Sequence, residues 1–302
     1  MPDGDLLQLS IAAPSAMALA EIAYAEPEAI AGLMASYPLL QAFAAVWMPD
    51  PAEMPENFAF VARKDDDVVV AIRGTYPVPW NLAYWEDGHQ SSPFSPFTPW
   101  PFAANGACVT QGLLTGFRVL HDLPGAGTTL GAFLRTLPPH VRVTVVGHSL
   151  GGSLAPLLGH WLSTVRVGPI AVATFAGMTP GNQAFADLFS ASTVPAWRYW
   201  NTLDTVGYGW NNVLGTQDFY QPAPQGGVLV RDMLRLTAAR IDQAFVPVGV
   251  SMPLTGSVLC PQSGYFRQML HQHMPNTYLA ILGAPPLPLL DAPFFDPCRP
   301  LV

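Results

Sequence analysis

Positively charged residues are scarce in this sequence of 302 residues. It contains 13 lysines and arginines, with Lys64 as its single lysine, against 21 aspartates and glutamates, so its formal net charge is −8. A surface that binds nucleic acid needs clustered basic residues, and the sequence has no basic run. The composition therefore argues against nucleic acid as a partner.

Long apolar runs and a basic start are missing as well. Half of the residues are hydrophobic and only 11% are charged, but proline, glycine and polar residues interrupt the uncharged runs, so no transmembrane segment is predicted. The first basic residue is Arg63, which leaves the apolar stretch near the start without the positive charge of a secretion signal. We expect a cytoplasmic protein or one exported without a recognisable leader.

Cysteine is also rare, with only Cys108, Cys260 and Cys298. Three scattered cysteines are too few for a disulfide framework or a zinc site. Cys260 and Cys298 would be able to pair in an oxidising compartment, but the odd, sparse count slightly favours reduced thiols.

Strand and helix patterns alternate between residues 58 and 201. Two predicted strands, at 58–63 and 68–73, flank an acidic turn, and later β-branched strands are separated by helical patterns. Such alternation predicts an α/β fold with one mostly parallel sheet and helices on both faces. We expect one domain over residues 1–302, with a helical N-terminal segment up to about residue 56 and a proline-rich tail from about residue 284.

The stretch VTVVGHSLGG, residues 143–152, places a Gly-x-Ser-x-Gly pattern between a buried-strand composition and the start of a helix. Its glycines let neighbouring backbone pass closely, while Ser149 takes a strained conformation that projects its Oγ outward. The following helix start directs free N–H groups and the positive end of its dipole to the same point. The pattern predicts Ser149 as a nucleophile. The alternative is a glycine-rich turn with an ordinary serine.

A nucleophilic serine needs a base, and the sequence offers seven histidines. Five are set aside because they adjoin the serine, fall inside a predicted helix or precede the serine in the chain: His148, His160, His89, His121 and His140. His271 and His273 remain, and because they are two apart in a predicted extended loop, only one of them can face the serine. A metal site on this pair lacks a third ligand nearby.

An acid that orients the histidine is expected at the carboxyl edge of the sheet, where Asp204 follows a predicted strand. Asp187 and Asp232 lie within helical patterns, and the alternative for Asp204 is a turn-forming aspartate. Two N–H donors for an oxyanion are predicted, one from Leu150 directly after the serine and one from Thr75 at an earlier strand end.

These segments resemble the fungal-type, or class 3, lipases over about residues 57–282. AIRGT resembles the oxyanion strand of that family, VVGHSLGGSLA its nucleophile segment, ATFAGMTPGNQAFAD its Thr-Phe…Gly-Asn…Phe segment and RYWNTLDTV its acid segment. The family's histidine commonly precedes a tyrosine by five residues, which His273 and Tyr278 satisfy. The resemblance implies an α/β-hydrolase fold and a triad of Ser149, Asp204 and His273. It also implies hydrolysis of acylglycerols or similar lipid esters, without a metal or a cofactor.

Several positions depart from the family pattern. Thr110 and Leu113 stand where the family usually has histidine and phenylalanine, Gly207 replaces a proline, and the usual aspartate before Trp80 is missing. The departures leave the lid and the substrate open, because a phospholipase, a feruloyl or polyester esterase and an acyltransferase would use the same triad. The other class of function is a lipase-like binding protein without catalysis, which typically loses a triad member or a glycine of the nucleophile segment.

Aromatic residues are concentrated in residues 76–102. The segment also has many prolines, which excludes a regular helix or a central strand. In the resembled family such a segment forms a lid or a wall of the acyl site. We therefore predict substrate contacts, and transient contact with a lipid interface, from Tyr76, Trp80, Phe97 and Trp100. The alternative is that these rings pack as part of the core.

Overall fold

One sheet of seven strands organises the protein, whose computed structural model describes residues 10–50, 57–75, 90, 92–221, 226–261, 263–289 and 298. The strands, in chain order, are β1 (Ala44–Trp47), β2 (Ala59–Lys64), β3 (Asp67–Ile72), β4 (Phe97–Pro99), β5 (Cys108–Thr110), β6 (Pro124–Gly125), β7 (Thr128–Thr129), β8 (Arg142–His148), β9 (Ile170–Phe175), β10 (Ala196–Asn201) and β11 (Val250–Leu254). The sheet has the order β1-β2-β3-β8-β9-β10-β11, while β4 pairs with β5 and β6 with β7.

Antiparallel pairing in the sheet is confined to β1, β2 and β3, and the strands that follow run parallel to β3. The hairpin between β2 and β3 turns through Asp65, which adopts a φ of 52° within the acidic turn seen in the sequence. Parallel neighbours need a crossover connection, and helices fill these connections. The α/β fold with a mostly parallel sheet is therefore confirmed.

Helices cover both faces of the sheet. They are α1 (Ala13–Ile22), α2 (Pro27–Ser36), α3 (Gln111–Asp122), α4 (Leu130–Thr136), α5 (Leu150–Val165), α6 (Gln183–Ala191), α7 (Gly227–Arg240), α8 (Tyr265–His273) and α9 (Pro275–Ile281), with short 3₁₀ turns at Val206–Tyr208 and Val213–Thr216. Alternate residues of β3 face the two cores, as expected of a strand that is buried on both sides. Val68, Val70 and Ile72 pack with residues of α3 to α6, whereas Val69 and Ala71 pack with residues of α1, α2 and α9.

Three elements differ from the sequence expectations. The N-terminal segment is helical in α1 and α2 but also contains β1, an edge strand of four residues that is too short to show a period. The strand β11 escapes prediction because it contains Pro253, which an edge strand tolerates. The extended loop expected at His273 is wrong, because α8 ends there. The buried side chains of α8 include Gln268 and Gln272, which hide the usual apolar pattern.

A disulfide joins Cys260 to Cys298, so the expectation of reduced thiols is wrong for this pair, and Cys108 is a free thiol. The two paired cysteines are 38 residues apart, and the fold rather than the cysteine count brings them together. No helix in the described part of the chain is long and apolar enough to cross a membrane. We propose that the whole chain forms one domain, because the first and the last strand, β1 and β11, belong to the same seven-stranded sheet.

Candidate active site

Ser149 lies on a sharp turn between β8 and α5, with φ 59° and ψ −125°. This conformation is rare for a residue with a side chain and costs about 1–3 kcal/mol. Glycines make the turn possible: a Cβ added at Gly147 would lie 2.3 Å from the backbone of Gly151, and one added at Gly151 would lie 2.3 Å from the carbonyl oxygen of Ile72. The Ser149 amide donates a hydrogen bond to the carbonyl of Phe175 on β9 (2.9 Å), which fixes the turn to the sheet.

Ser149, His273 and Asp204 are joined by hydrogen bonds. The Nε2 atom of His273 lies 2.8 Å from the Oγ of Ser149, and its Nδ1 atom lies 2.9 Å from the Oδ2 of Asp204. An ionised carboxylate accepts only, so the Nδ1–H of the imidazole donates to Asp204 and the lone pair of Nε2 faces the serine hydroxyl. The arrangement lets the imidazole take the serine proton, as a general base must.

Asp204 is fully buried and is held by three donors. Its Oδ1 accepts from the backbone N–H of Val206 (2.9 Å), and its Oδ2 accepts from the hydroxyl of Tyr278 (2.8 Å) as well as from His273. Burial first, and then the nearby charge of Asp204, raise the pKa of Tyr278 well above its usual value, so this hydroxyl remains a donor. The carboxylate is therefore fixed in the orientation that His273 requires.

Three further side chains around the acid segment were not predicted to have a role. The buried amide of Asn201 donates to the backbone carbonyl of Gln272 (2.9 Å) and to its Oε1 (2.7 Å), so β10 is tied to the end of α8. The guanidinium of Arg198 donates to the carbonyl of Gly207, just beyond Asp204. Arg198 and Asn201 belong to the acid segment RYWNTLDTV, and their place in that segment is the sequence feature from which a role was predictable. No motif in the sequence indicates a role for Gln272.

The backbone that contains the predicted oxyanion donors lies beside the serine. A Cβ added at Gly74 would be 2.5 Å from the carbonyl oxygen of His148 and 3.0 Å from the Cβ of Ser149, so the chain at Thr75 begins next to the nucleophile. Leu150 is the first residue of α5, where backbone N–H groups have no partner within the helix. Both positions are compatible with the oxyanion role expected from the sequence.

The aromatic residues predicted to contact substrate lie in different surroundings. Trp100 is 1% exposed, packs among the rings of Phe102, Phe117, Phe185 and His160, and donates its Nε1–H to the Nδ1 of His160 (3.0 Å). We therefore correct the assignment of Trp100, because a ring that fills the core has no face left for substrate.

Phe97 on β4 is only partly buried, and its ring packs against Phe245 at a centroid distance of 5.0 Å. The predictions for Tyr76 and Trp80 fall outside the described residues. Among the residues that the structure describes, no group of three or more histidine, cysteine, aspartate or glutamate side chains is placed to hold a metal ion.

Residues 69–208, which contain the nucleophile turn and the acid segment, match the family model of the class 3 lipases. The resemblance to this family is confirmed. The chain is accordingly a hydrolase of the lipase type. No curated protein matches this sequence significantly.

Solved lipase structures share the fold. The chain superposes on M37 lipase with a TM-score of 0.73 and 24% identity, over 91% of this chain and 94% of the other. A triacylglycerol lipase described as having a serine protease triad as its catalytic centre gives 0.53 and 19%, over 80% and 79% of the two chains. Lipase II from Rhizopus niveus gives 0.51 and 21%, over 66% and 74%. At these identities the likeness establishes the α/β-hydrolase fold of the lipases.

Proposed function

We propose that this lipase-type enzyme hydrolyses acylglycerols or related lipid esters through an acyl-enzyme on Ser149. The observation that carries the proposal is the unbroken series of hydrogen bonds from Ser149 Oγ through His273 to Asp204, at 2.8 and 2.9 Å. A complete set of nucleophile, base and orienting acid supports catalysis over a binding protein that merely keeps the fold.

The mechanism follows from the direction of these hydrogen bonds. His273 takes the hydroxyl proton of Ser149 through Nε2 while Oγ bonds to the ester carbonyl carbon, and the carbonyl oxygen becomes an oxyanion. The N–H groups of Leu150 and Thr75 stabilise this oxyanion, and Asp204 stabilises the imidazolium. His273 then gives its proton to the leaving alcohol as the ester C–O bond breaks. In the second half, His273 takes a proton from water, the water oxygen attacks the acyl carbon, and the proton returns to Ser149 as the acid leaves.

An exposed apolar face on α7 supports a lipid rather than a soluble ester as substrate. Leu229, Met233 and Leu236, spaced four and three residues apart on one side of the helix, are 59–68% exposed, and Val228 is 69% exposed. Exposed apolar residues grouped on one helix face are typical of a surface that contacts a lipid phase or another protein. In a lipase-type enzyme we propose that this face contacts aggregated lipid ester.

A hydrolysis panel tests the proposal and distinguishes the substrate classes. Purified protein and a Ser149→Ala variant are assayed on a short soluble ester, an emulsified triacylglycerol, phospholipid vesicles and a feruloyl ester. We expect wild-type activity to be highest on the emulsified acylglycerol and the variant to be inactive on every ester. A preference for the phospholipid would assign a phospholipase, and equal hydrolysis by wild type and variant would refute the acyl-enzyme on Ser149.

A further inference from the structure

Two adjacent residues of the nucleophile turn contact His273, one at its side chain and one at its backbone. Ser149 meets the imidazole, whereas the Nε2 of His148 lies 2.8 Å from the backbone carbonyl oxygen of His273. The two imidazole rings lie side by side, with a centroid distance of 4.8 Å. His148 therefore touches the catalytic histidine without being part of the series of hydrogen bonds that transfers the proton.

The direction of the hydrogen bonds defines the tautomer of His148. A carbonyl oxygen only accepts, so the Nε2 atom must carry the hydrogen. In the neutral ring the Nδ1 atom is then an acceptor, and it lies 2.9 Å from the hydroxyl of Tyr24, which donates to it. His148 remains neutral because burial first, and its neighbour His273 second, lower its pKa well below the usual histidine value.

Tyr24 comes from the N-terminal part of the chain, just after α1, and is buried. Its hydroxyl fills the space that a side chain would need at Gly74: an added Cβ there would lie 2.0 Å from the Tyr24 oxygen. The Tyr24 hydroxyl thus contacts both Gly74, next to the predicted oxyanion donor Thr75, and His148, next to the nucleophile Ser149. This explains why AIRGT has glycine at its fourth position.

The carbonyl of His273 needs such a donor because His273 is the last residue of α8. The last carbonyls of a helix have no N–H partner within the helix, and α9 begins with Pro275, which lacks an N–H group. By donating to this carbonyl, His148 ties the backbone of His273 to the end of β8, directly before Ser149. His148 then holds the backbone of His273 and Asp204 holds its side chain, and both contacts together set the distance between His273 Nε2 and Ser149 Oγ.

We propose that His148 and Tyr24 are positioning residues for the proposed reaction. His148 holds the backbone of His273 against the nucleophile turn, and Tyr24 selects the His148 tautomer that can do so. The inference rests on the triad of the proposed function. If Tyr24 were absent, the Nδ1–H tautomer would become available, and its Nε2 lone pair would face the carbonyl instead of donating to it.

Two amide variants separate this role from simple packing. In His148→Gln the side-chain nitrogen stands at the position of Nε2 and still donates to the His273 carbonyl. In His148→Asn the amide reaches only as far as Nδ1, so it meets Tyr24 but not the carbonyl. Using a short soluble ester, we expect kcat of the Gln variant to stay within about threefold of wild type and that of the Asn variant to fall at least about tenfold, with unchanged KM.

A third variant, Tyr24→Phe, tests the coupling. We expect it to lower kcat by a smaller factor than His148→Asn, and we expect the double variant to be no slower than His148→Asn alone, because in this proposal the effect of Tyr24 on kcat is transmitted through His148. Melting temperatures are measured in parallel. Equal kcat for the Gln and Asn variants, or additive losses in the double variant, would overturn the inference. A separate Ser149→Ala assay distinguishes the two proposals, because activity in that variant would refute the triad itself.

Discussion

At the scale of single residues, the site depends on close backbone approaches that only glycine permits. Gly74 is the clearest case, since an added methyl group would collide with the hydroxyl of Tyr24 and with the carbonyl oxygen of His148. The carbonyl oxygen belongs to the backbone, and the hydroxyl belongs to a buried ring that is held by its hydrogen bond to His148. Neither group can move aside at little cost. The requirement for glycine at this position therefore comes from the active site and not from the strand.

Gly74→Ala should lower both stability and activity, because the methyl group displaces Tyr24 or the nucleophile turn. We expect a loss of about 1–3 kcal/mol in the free energy of unfolding and a fall in kcat of at least about tenfold. Gly32→Ala in α2 is the matched control, since its added Cβ meets nothing within 4 Å, and alanine should stabilise the helix by about 0.5–1 kcal/mol. Urea unfolding and ester hydrolysis measure both effects. A Gly74→Ala protein as stable and active as wild type would contradict this account.

The residue scale also shows which contacts a sequence can reveal. Ser149 and Asp204 are recognisable because their roles depend on neighbours in the chain: a strand before the serine, a helix after it, and a strand end before the aspartate. Tyr24 has no such local signal, because its partner His148 is 124 residues away. Trp100 was wrongly predicted to contact substrate, because the composition of an aromatic segment next to a site does not show which of its rings fill the core.

At the scale of elements, α8 carries the base and determines which histidine is used. Residues two apart on an α-helix point about 200° apart, so a helix separates His271 from His273 as an extended strand would. The predicted loop was therefore the wrong element, although the prediction that His271 and His273 face different ways holds for the helix. The sequence of α8 does not show a helical apolar pattern because buried glutamines take the places of apolar residues on its inner face.

His273→Ala should reduce kcat on the order of a thousandfold or more, since the serine loses its base. His271→Ala is the matched control and should stay within about threefold of wild type, because His271 lies on another side of α8. Steady-state hydrolysis of a soluble ester, with circular dichroism to check the fold, measures the difference. If His271→Ala were the inactive variant, the assignment of the base would be wrong.

The exposed face of α7 gives a second prediction at this scale. Changing Leu229 and Met233 to serine should lower activity on emulsified triacylglycerol at least about tenfold and leave activity on a short soluble ester within about twofold, because apolar contact area with the lipid phase is lost. Val167→Ser is the control, since Val167 is 81% exposed elsewhere on the protein. Equal effects on both substrates would show that α7 does not contact lipid.

At the scale of the whole molecule, the order of strands and helices explains how distant residues meet. The parallel strands β8 and β10 are separated only by β9 and end at the same edge of the sheet, so Ser149 and Asp204 follow strand ends that lie close together, as the alternation of elements predicts. The sequence did not reveal the outer strands β1 and β11 or the disulfide. Tertiary packing determines where short edge strands form and which distant cysteines meet. Neither feature leaves a periodic pattern in the sequence.

Two buried histidines should make the stability of the whole molecule depend on pH. Burial lowers the pKa of His148 and of His160 below the usual histidine value, so below about pH 6.5 the unfolded chain binds protons that the native protein does not. The free energy of unfolding therefore rises with pH through this window and falls on acidification, by up to about 1.4 kcal/mol per pH unit for each histidine.

Urea unfolding at several values between pH 5 and pH 7 measures this slope. We expect His148→Gln to have a smaller slope than wild type, since the variant lacks one titrating group while keeping the donor to His273. A wild-type stability that is flat or increases toward pH 5 would contradict the burial of these histidines as neutral groups.

The central claim is that Ser149 is an activated nucleophile, and labelling by a fluorophosphonate probe tests it most directly. The probe bonds covalently to a serine Oγ only when a base activates it. Wild-type protein should be labelled on the peptide that contains Ser149, His273→Ala should be labelled far more slowly, and Ser149→Ala should not be labelled at all. Absence of labelling in folded wild-type protein, or labelling at another residue, would contradict the proposed function.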